Sequence, residues 1–406
     1  MGRDPGAVTR TPFRRLAAGL ALLAAATGVL VVARTGTASA APALAQTGAV
    51  VTTGSTSITL TLPSGSTAGN LLIASFDGFG SSNNSNGPAG WQLADEGSGS
   101  ASRRSAIWYY PNNPGGISSA NFSIGAGTTY IAGQMTEWSG MGTLAPLDVY
   151  GRKAQASSTT INVNGVDSNN NQTSYANEIA VATFQENLSS ASAVTFTPGA
   201  GWTNLGNTGA TSQTTQYTSD YITGIALNNS TNETETSNVS SSATGWEGII
   251  ATFAPAPTCT GGSLTLQTVS VTWSSLTLSG LDQTKTTNRT MTPDDERGTN
   301  VGWNIQLTST QFTAGGHTLS TTATTVTAAS ATATPGTCTL PTNSITYPIT
   351  VPSGAGPPAA VKVYNAAANT GEGQSSVQFS FKVAVPASAF AGSYTSTWTF
   401  SIVSGP

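Results

Sequence analysis

The chain has 406 residues, of which only 8% are charged, and its formal net charge is −4. Five of the 14 Lys and Arg and one of the 18 Asp and Glu precede residue 41, which leaves 9 basic against 17 acidic residues and a net charge of −8 beyond it. That balance argues against nucleic acid or another polyanion as a partner. So low a charge content is also foreign to cytosolic proteins, and it leaves Thr, Ser, Asn and Gly to carry the solubility.

Residues 1–40 read as an address. Arg3, Arg10, Arg14 and Arg15 form a basic leader, Leu16 to Ala33 is apolar, and Ala38-Ser39-Ala40 gives the small-x-small pattern that signal peptidase needs. The expectation is a secretory signal peptide cleaved after Ala40. The alternative is an uncleaved anchor, because the apolar run approaches spanning length. No second apolar run and no sortase-type motif follows, so the mature chain is expected to be secreted without a membrane span or covalent wall link.

Beyond the leader, helical periodicity is nearly absent and strand alternation is widespread, punctuated by Gly and Pro; this predicts an all-β protein. Residues 41–255 contain an internal repeat. Asn70-Leu71-Leu72-Ile73-Ala74-Ser75-Phe76 is echoed by Asn177 through Phe184, and Pro88-Ala89-Gly90-Trp91 by Pro198 through Trp202. The closing segment Gly133 through Trp138 is echoed by Gly248 through Phe253. No linker separates the two repeats, so one jelly-roll-like antiparallel β-sandwich is expected over 41–255 rather than two tandem ones. Its aromatic residues, Tyr109 and Tyr110 above all, are candidate glycan contacts. Neighbours on a strand face opposite ways, so one of this pair is expected to turn outward.

Phe253-Ala254-Pro255-Ala256-Pro257-Thr258 is a Pro/Ala linker into a second domain, 257–406. Cys259 and Cys338 both lie beyond it, and an even pair in an exported chain predicts a disulfide. Val377, Phe379, Phe381, Val383 and Val385 alternate with less apolar residues, as do Tyr394, Ser396, Trp398, Phe400 and Ile402. Two tryptophan motifs stand out: Asp295-Glu296-Arg297-Gly298 leading to Trp303-Asn304-Ile305, and Gly392-Ser393-Tyr394 leading to Trp398-Thr399-Phe400. This ordered pair, with both lead-ins, resembles the WxL cell-surface domain of Gram-positive bacteria over roughly 150 residues. The third motif position is Ile305 and Phe400 instead of Leu, which keeps a large apolar side chain. The resemblance implies a second, smaller Ig-like β-sandwich that binds peptidoglycan or another wall glycan without a covalent link, at the cell wall or cell surface, with other surface proteins as possible partners.

Two readings of Trp303 and Trp398 stay open, as core anchors and as direct glycan contacts. Asp294-Asp295-Glu296 is read as a solvated turn rather than a calcium loop, and Arg297 as a structural partner to these acids. No metal site and no cofactor is expected. His317, the only histidine, is read as a loop bystander, so no enzyme built on a Ser-His-Asp or Cys-His arrangement is expected. A polysaccharide hydrolase would have to use carboxylates such as Glu137, Glu178, Glu186 or Glu247, which carry no motif. The main alternative to a wall-attached, non-catalytic surface protein is a secreted carbohydrate-binding adhesin.

Overall fold

The computed structural model describes residues 19–26, 41–80, 84–97, 103–125, 127–155, 160–164, 172–209, 213–238 and 243–406. The cleavage motif Ala38-Ser39-Ala40 and all four arginines of the basic leader lie outside them. Every regular element described is a β-strand, and the sheets are built almost wholly from antiparallel pairs. No helix is long and apolar enough to cross a membrane among the described residues.

The two sequence repeats fold alike. In the first, Ala43–Thr47, Tyr130–Ser139, Leu71–Phe79, Arg103–Tyr110 and Gln92–Gly97 lie side by side in that order, and Ser57–Thr61, Ser119–Ile124 and Ser85–Asn86 form a facing three-stranded sheet. In the second, the order is Leu147–Gln155, Ala243–Phe253, Glu178–Ser192, Gln213–Ile225 and Thr203–Asn207, faced by Thr160–Asn164, Asn232–Asn238 and Thr195–Thr197. Strand for strand the two orders match, and in both the first strand lies beside the last.

No sheet mixes strands of the two repeats among the described residues. Each repeat therefore closes its own pair of sheets, where the missing linker had suggested a single shared sandwich. The physical reason lies in the central strands. Leu71-Leu72-Ile73-Ala74 and Ile179-Ala180-Val181-Ala182 are buried at every position. An uninterrupted apolar run is what a sheet covered on both faces requires. One face packs inward on its own small sheet, around Phe76, Phe122 and Met135 in the first repeat and Phe184, Phe196 and Trp246 in the second. The other face packs the two large sheets on each other through Leu71, Ile73, Trp138, Ile179, Val181 and Phe253. The result is four packed layers.

The C-terminal part is a two-sheet sandwich. One sheet runs Leu264–Gln267, Gln283–Asp295, Gly373–Val385, Thr324–Thr337, Ile349–Val351. The other is centred on the antiparallel neighbours Trp303–Thr310 and Ser393–Ser404, with Val361–Ala366 beyond the former. Val377, Phe379, Phe381, Val383 and Val385 all turn into the core between them, as their alternation requires. The disulfide Cys259–Cys338 ties the start of this sandwich to the end of its Thr324–Thr337 strand. The second sheet also contains a strand from the leader, Gly19–Ala26, which lies between Ser393–Ser404 and Val271–Thr272.

Candidate functional site

The two tryptophan motifs come together on adjacent strands. Trp303–Thr310 and Ser393–Ser404 pair with Ile305 opposite Ile402, Leu307 opposite Phe400 and Ser309 opposite Trp398. Trp303, Ile305 and Leu307 are fully buried, Trp398 is 1% exposed, and Phe400 is half-buried. The Trp303 indole stacks on Tyr364 with ring centroids 5.8 Å apart and donates its N–H to the Gly371 carbonyl at 2.8 Å. Gly371 sits at φ +76°, and a Cβ there would stand 2.8 Å from the Trp303 indole nitrogen, so glycine is what lets the ring approach the carbonyl. At the other end of the ladder, Trp398 is enclosed by Phe381, Trp273, Phe400 and Phe312 at centroid distances of 5.1, 5.5, 6.2 and 6.4 Å.

The acidic-x-Arg-Gly lead-in is a clamp. Arg297 donates from Nε to Asp295 Oδ1 at 2.8 Å and from Nη2 to Oδ2 at 2.9 Å, a two-pronged pair in which Asp295 is buried. The same guanidinium donates to the Gly302 carbonyl at 2.9 Å and to the Ser404 hydroxyl. It thus joins the turn before Trp303 to the end of the second motif's strand. The hydrogen bonds to Asp295 and its charge hold the Arg297 pKa above its usual value. Gly298, at φ +63°, leaves room for Thr260, next to Cys259; a Cβ there would come within 2.7 Å of that side chain.

The remaining candidates are dispersed. Tyr109 is buried between the two large sheets, against Phe253 at 5.5 Å, with its hydroxyl donating to Gln92 at 2.8 Å. Tyr110 turns to the opposite face and packs on Trp91 at 5.9 Å, half-buried. Both faces of this strand are covered, so the outward turn expected of one of the pair does not open a ring fully to solvent. His317 is exposed and stacks on Phe390 at 3.7 Å. No group of three or more His, Cys, Asp or Glu side chains that would hold a metal is found among the described residues.

The four hydrolase candidates do not converge on one cleft. Glu137 is a structural tie, accepting from the Thr67 backbone N–H and the Asn70 amide at 2.7 Å each and from Gln46. Glu178 accepts from the Tyr175 N–H at 3.0 Å, and burial with the neighbouring Asp148 pushes its pKa up to about 9. Glu186 lies eight residues further along the same strand, roughly 26 Å away at strand rise; it accepts from Ser237 at 2.9 Å, and burial pushes its pKa up to about 7. Glu247 pairs in register with Gln185 and so belongs to the opposite face of that sheet from Glu186.

Sequence reasoning missed a polar seam between the two large sheets. Beside the apolar packing, Tyr217 shares a 2.9 Å hydrogen bond with Ser75, Ser75 reaches Ser219 at 3.2 Å, and Thr183 donates to Asp77 at 3.1 Å. Burial raises the Asp77 pKa well above the carboxylate range. At its edge lies a cleft of about 480 Å³ lined by Asn84, Glu96, Arg104, Arg152, Lys153 and Glu247. The sequence signal was the change from apolar to polar along each central strand, from Ile73 to Asp77 and from Val181 to Gln185.

No curated protein and no solved structure matches the chain. Residues before 251 carry no family assignment. The C-terminal part, residues 251–406, matches the family model of the WxL domain, described as surface cell wall-binding; both tryptophan motifs, the Arg297 clamp and the disulfide lie within it, and it places the protein at the cell wall and cell surface.

Proposed function

We propose that the chain is exported, loses residues 1–40, attaches non-covalently to peptidoglycan through residues 257–406, and displays residues 41–255 outward as a non-catalytic surface protein. The observation that carries this reading is the WxL match over residues 251–406. The burial of Trp303 and Trp398 supports assigning them to the core, which moves wall contact to another surface. The outer face of the Gln283–Asp295 sheet supplies one. Thr284, Thr286, Asn288 and Thr290 are exposed there, and Ser380 and Gln378 stand beside Asn288 and Thr290 on the next strand. Such an array of hydroxyl and amide donors and acceptors, with Lys382 beside Thr286, suits the hydroxyls and amides of a wall glycan.

Sedimentation with purified Gram-positive peptidoglycan tests this. The isolated C-terminal domain is expected to sediment and the N-terminal part to stay in solution. Replacing Thr286, Asn288 and Thr290 together by Ala should reduce retention with an unchanged melting temperature. Retention unaffected by that change would remove this face from the account. The cleft lined by Arg104, Arg152, Lys153, Glu96 and Glu247 favours one second reading, an adhesin whose N-terminal part binds a charged saccharide. Equal retention of both parts on wall material would favour it.

A further inference from the structure

The sheet that carries both tryptophan motifs is completed by a strand that, on the reading above, does not stay with the protein. Gly19–Ala26 runs parallel to Ser393–Ser404, with Leu22 opposite Tyr394, Ala24 opposite Ser396 and Ala26 opposite Trp398. Those three partners are all buried on the inner face of their strand. On its other side the same segment runs antiparallel to Val271–Thr272 and Leu276–Thr277. It is therefore an inserted strand: Leu23 and Ala24 have partners on both sides.

Both walls of this position are held without the leader. The inner wall pairs along its far edge with Trp303–Thr310. The outer wall is pinned from the opposite sheet by alternate residues of Gln283–Asp295. Arg289 donates to the Ser270 and Thr272 carbonyls at 3.1 and 2.7 Å, and Gln283 to the Thr277 carbonyl at 3.0 Å. Trp273, 7% exposed, anchors the same wall edge-on against Trp398 and Phe312. Strands two places apart in a sheet lie about 9.5 Å from each other, too far to bond directly. Taking the middle strand away leaves two facing rows of unpaired backbone groups over an apolar floor. The indole nitrogens of Trp273 and Trp398 already have no hydrogen-bond partner among the described residues.

We propose that the mature WxL domain keeps this strand-wide slot, and that it takes up an extended, uncharged segment of small and apolar residues from a second, different polypeptide at the cell surface, running parallel to Ser393–Ser404. The inference rests on removal of the leader. The chemistry of the occupant is read from the strand seated there, Gly-Leu-Ala-Leu-Leu-Ala-Ala-Ala, which brings backbone groups for both walls and no charge. A second copy of this chain is a poor donor. Its own uncharged edge strand, Ala43–Thr47, is paired with Tyr130–Ser139, and Leu44 packs into the seam between the large sheets. Lending it would strip that sheet.

The test uses residues 41–406 and a synthetic peptide with the sequence of residues 19–26 flanked by lysines. Saturable one-to-one binding is expected, and a Leu23→Pro peptide, which removes a ladder donor, should bind about tenfold more weakly or worse. A Leu23→Cys peptide should form a disulfide with the exposed position in a Thr395→Cys protein and not with Thr399→Cys, four residues out of register. If residues 41–406 fold poorly, the full chain with a protease site after Ala40 replaces them; the cut leader should then stay bound until the peptide displaces it. Failure of folded protein to bind would overturn the proposal. So would amides at 394–398 and 271–272 that already protect one another from hydrogen exchange, which would mean a closed slot. Self-association that the peptide dissolves would overturn it in favour of a second copy. A surface protein whose mass still includes residues 19–26 would instead break the leader reading, leaving the slot itself tested by the peptide.

Discussion

The N-terminal and C-terminal parts of this chain bury their interiors in opposite ways. Between the two large N-terminal sheets the packing is apolar at one end and polar at the other, where Ser75, Asp77, Thr183 and Tyr217 are all buried. The C-terminal part has one continuous apolar core, from Val271 through Trp398, and its one buried carboxylate, Asp295, is paired in the Arg297 clamp. Buried carboxyls cost stability unless they are paired or protonated. Burial raises the pKa values of Asp77, Glu178 and Glu186, so the N-terminal part is expected to lose stability as pH rises.

The largest expected effect falls on the C-terminal part. Trp303→Ala or Trp398→Ala should each lower its stability by about 3–5 kcal/mol, the usual cost of truncating a buried Trp. That is a large share of a domain's total of about 5–15 kcal/mol. Calorimetry that resolves separate transitions for the two parts should show only the C-terminal one moving. Wall binding lost with an unchanged C-terminal transition would make these tryptophans exposed ligand contacts and break the contrast. Reduction of Cys259–Cys338 comes next. The bond closes a loop of 79 residues, worth about 4 kcal/mol in the chain-entropy view. Again the C-terminal transition alone should fall on adding reductant.

Much of this architecture is legible in the sequence, and the part that is not has a physical reason. Alternation at Val377 to Val385 specifies a strand with one buried face, and the structure contains it. The cysteine pair and the Asp295–Arg297 partnership follow from compartment and charge. The two-sandwich arrangement was written in the unbroken runs at Leu71 and Ile179, but a run of apolar residues does not say which second layer covers it. The strand slot could not be read at all, because nothing in residues 19–26 or 393–398 marks them as neighbours across more than 360 positions. Pairing between distant strands is set by which edges remain free once the rest has folded.

The next prediction tests the pH contrast directly. Glu186 has its folded pKa raised to about 7 from an ordinary 4.5, first by burial. Between those values the folded state holds more protons than the unfolded one, so the Glu186 contribution to stability must fall as pH rises from about 4.5 through about 7 and then level off, while Glu178, raised to about 9, extends the fall of the N-terminal transition beyond that. The Glu186 span corresponds to about 3 kcal/mol at most. Glu186→Gln should remove the Glu186 share of the slope from the N-terminal transition and leave the shares of Glu178 and Asp77, provided the amide keeps the Ser237 hydrogen bond. A C-terminal transition with the same slope would show that the pH dependence does not come from the buried N-terminal carboxyls.

The smallest effect is expected at the rim of the seam, and it separates two accounts of what holds the repeats together. Arg152 of the second repeat pairs with Asp95 of the first at 3.2 Å, and it also donates to the Glu96 carbonyl. The Arg152 side chain is 58% exposed while that of Asp95 is 10% exposed. An ion pair with one partner this open is screened by solvent and salt, and such pairs contribute about 0–1 kcal/mol. Desolvation raises the Asp95 pKa and Arg152 lowers it, with desolvation the larger influence. Arg152→Gln should therefore shift the N-terminal melting temperature little, and the shift should shrink further as salt is added. The apolar contacts of Leu71, Ile73, Trp138, Ile179 and Phe253 would then be what joins the repeats. A large, salt-sensitive loss, or two separate N-terminal transitions in the variant, would mean that charge at the rim holds the sandwiches together, and that the cleft beside Arg152 opens and closes with it.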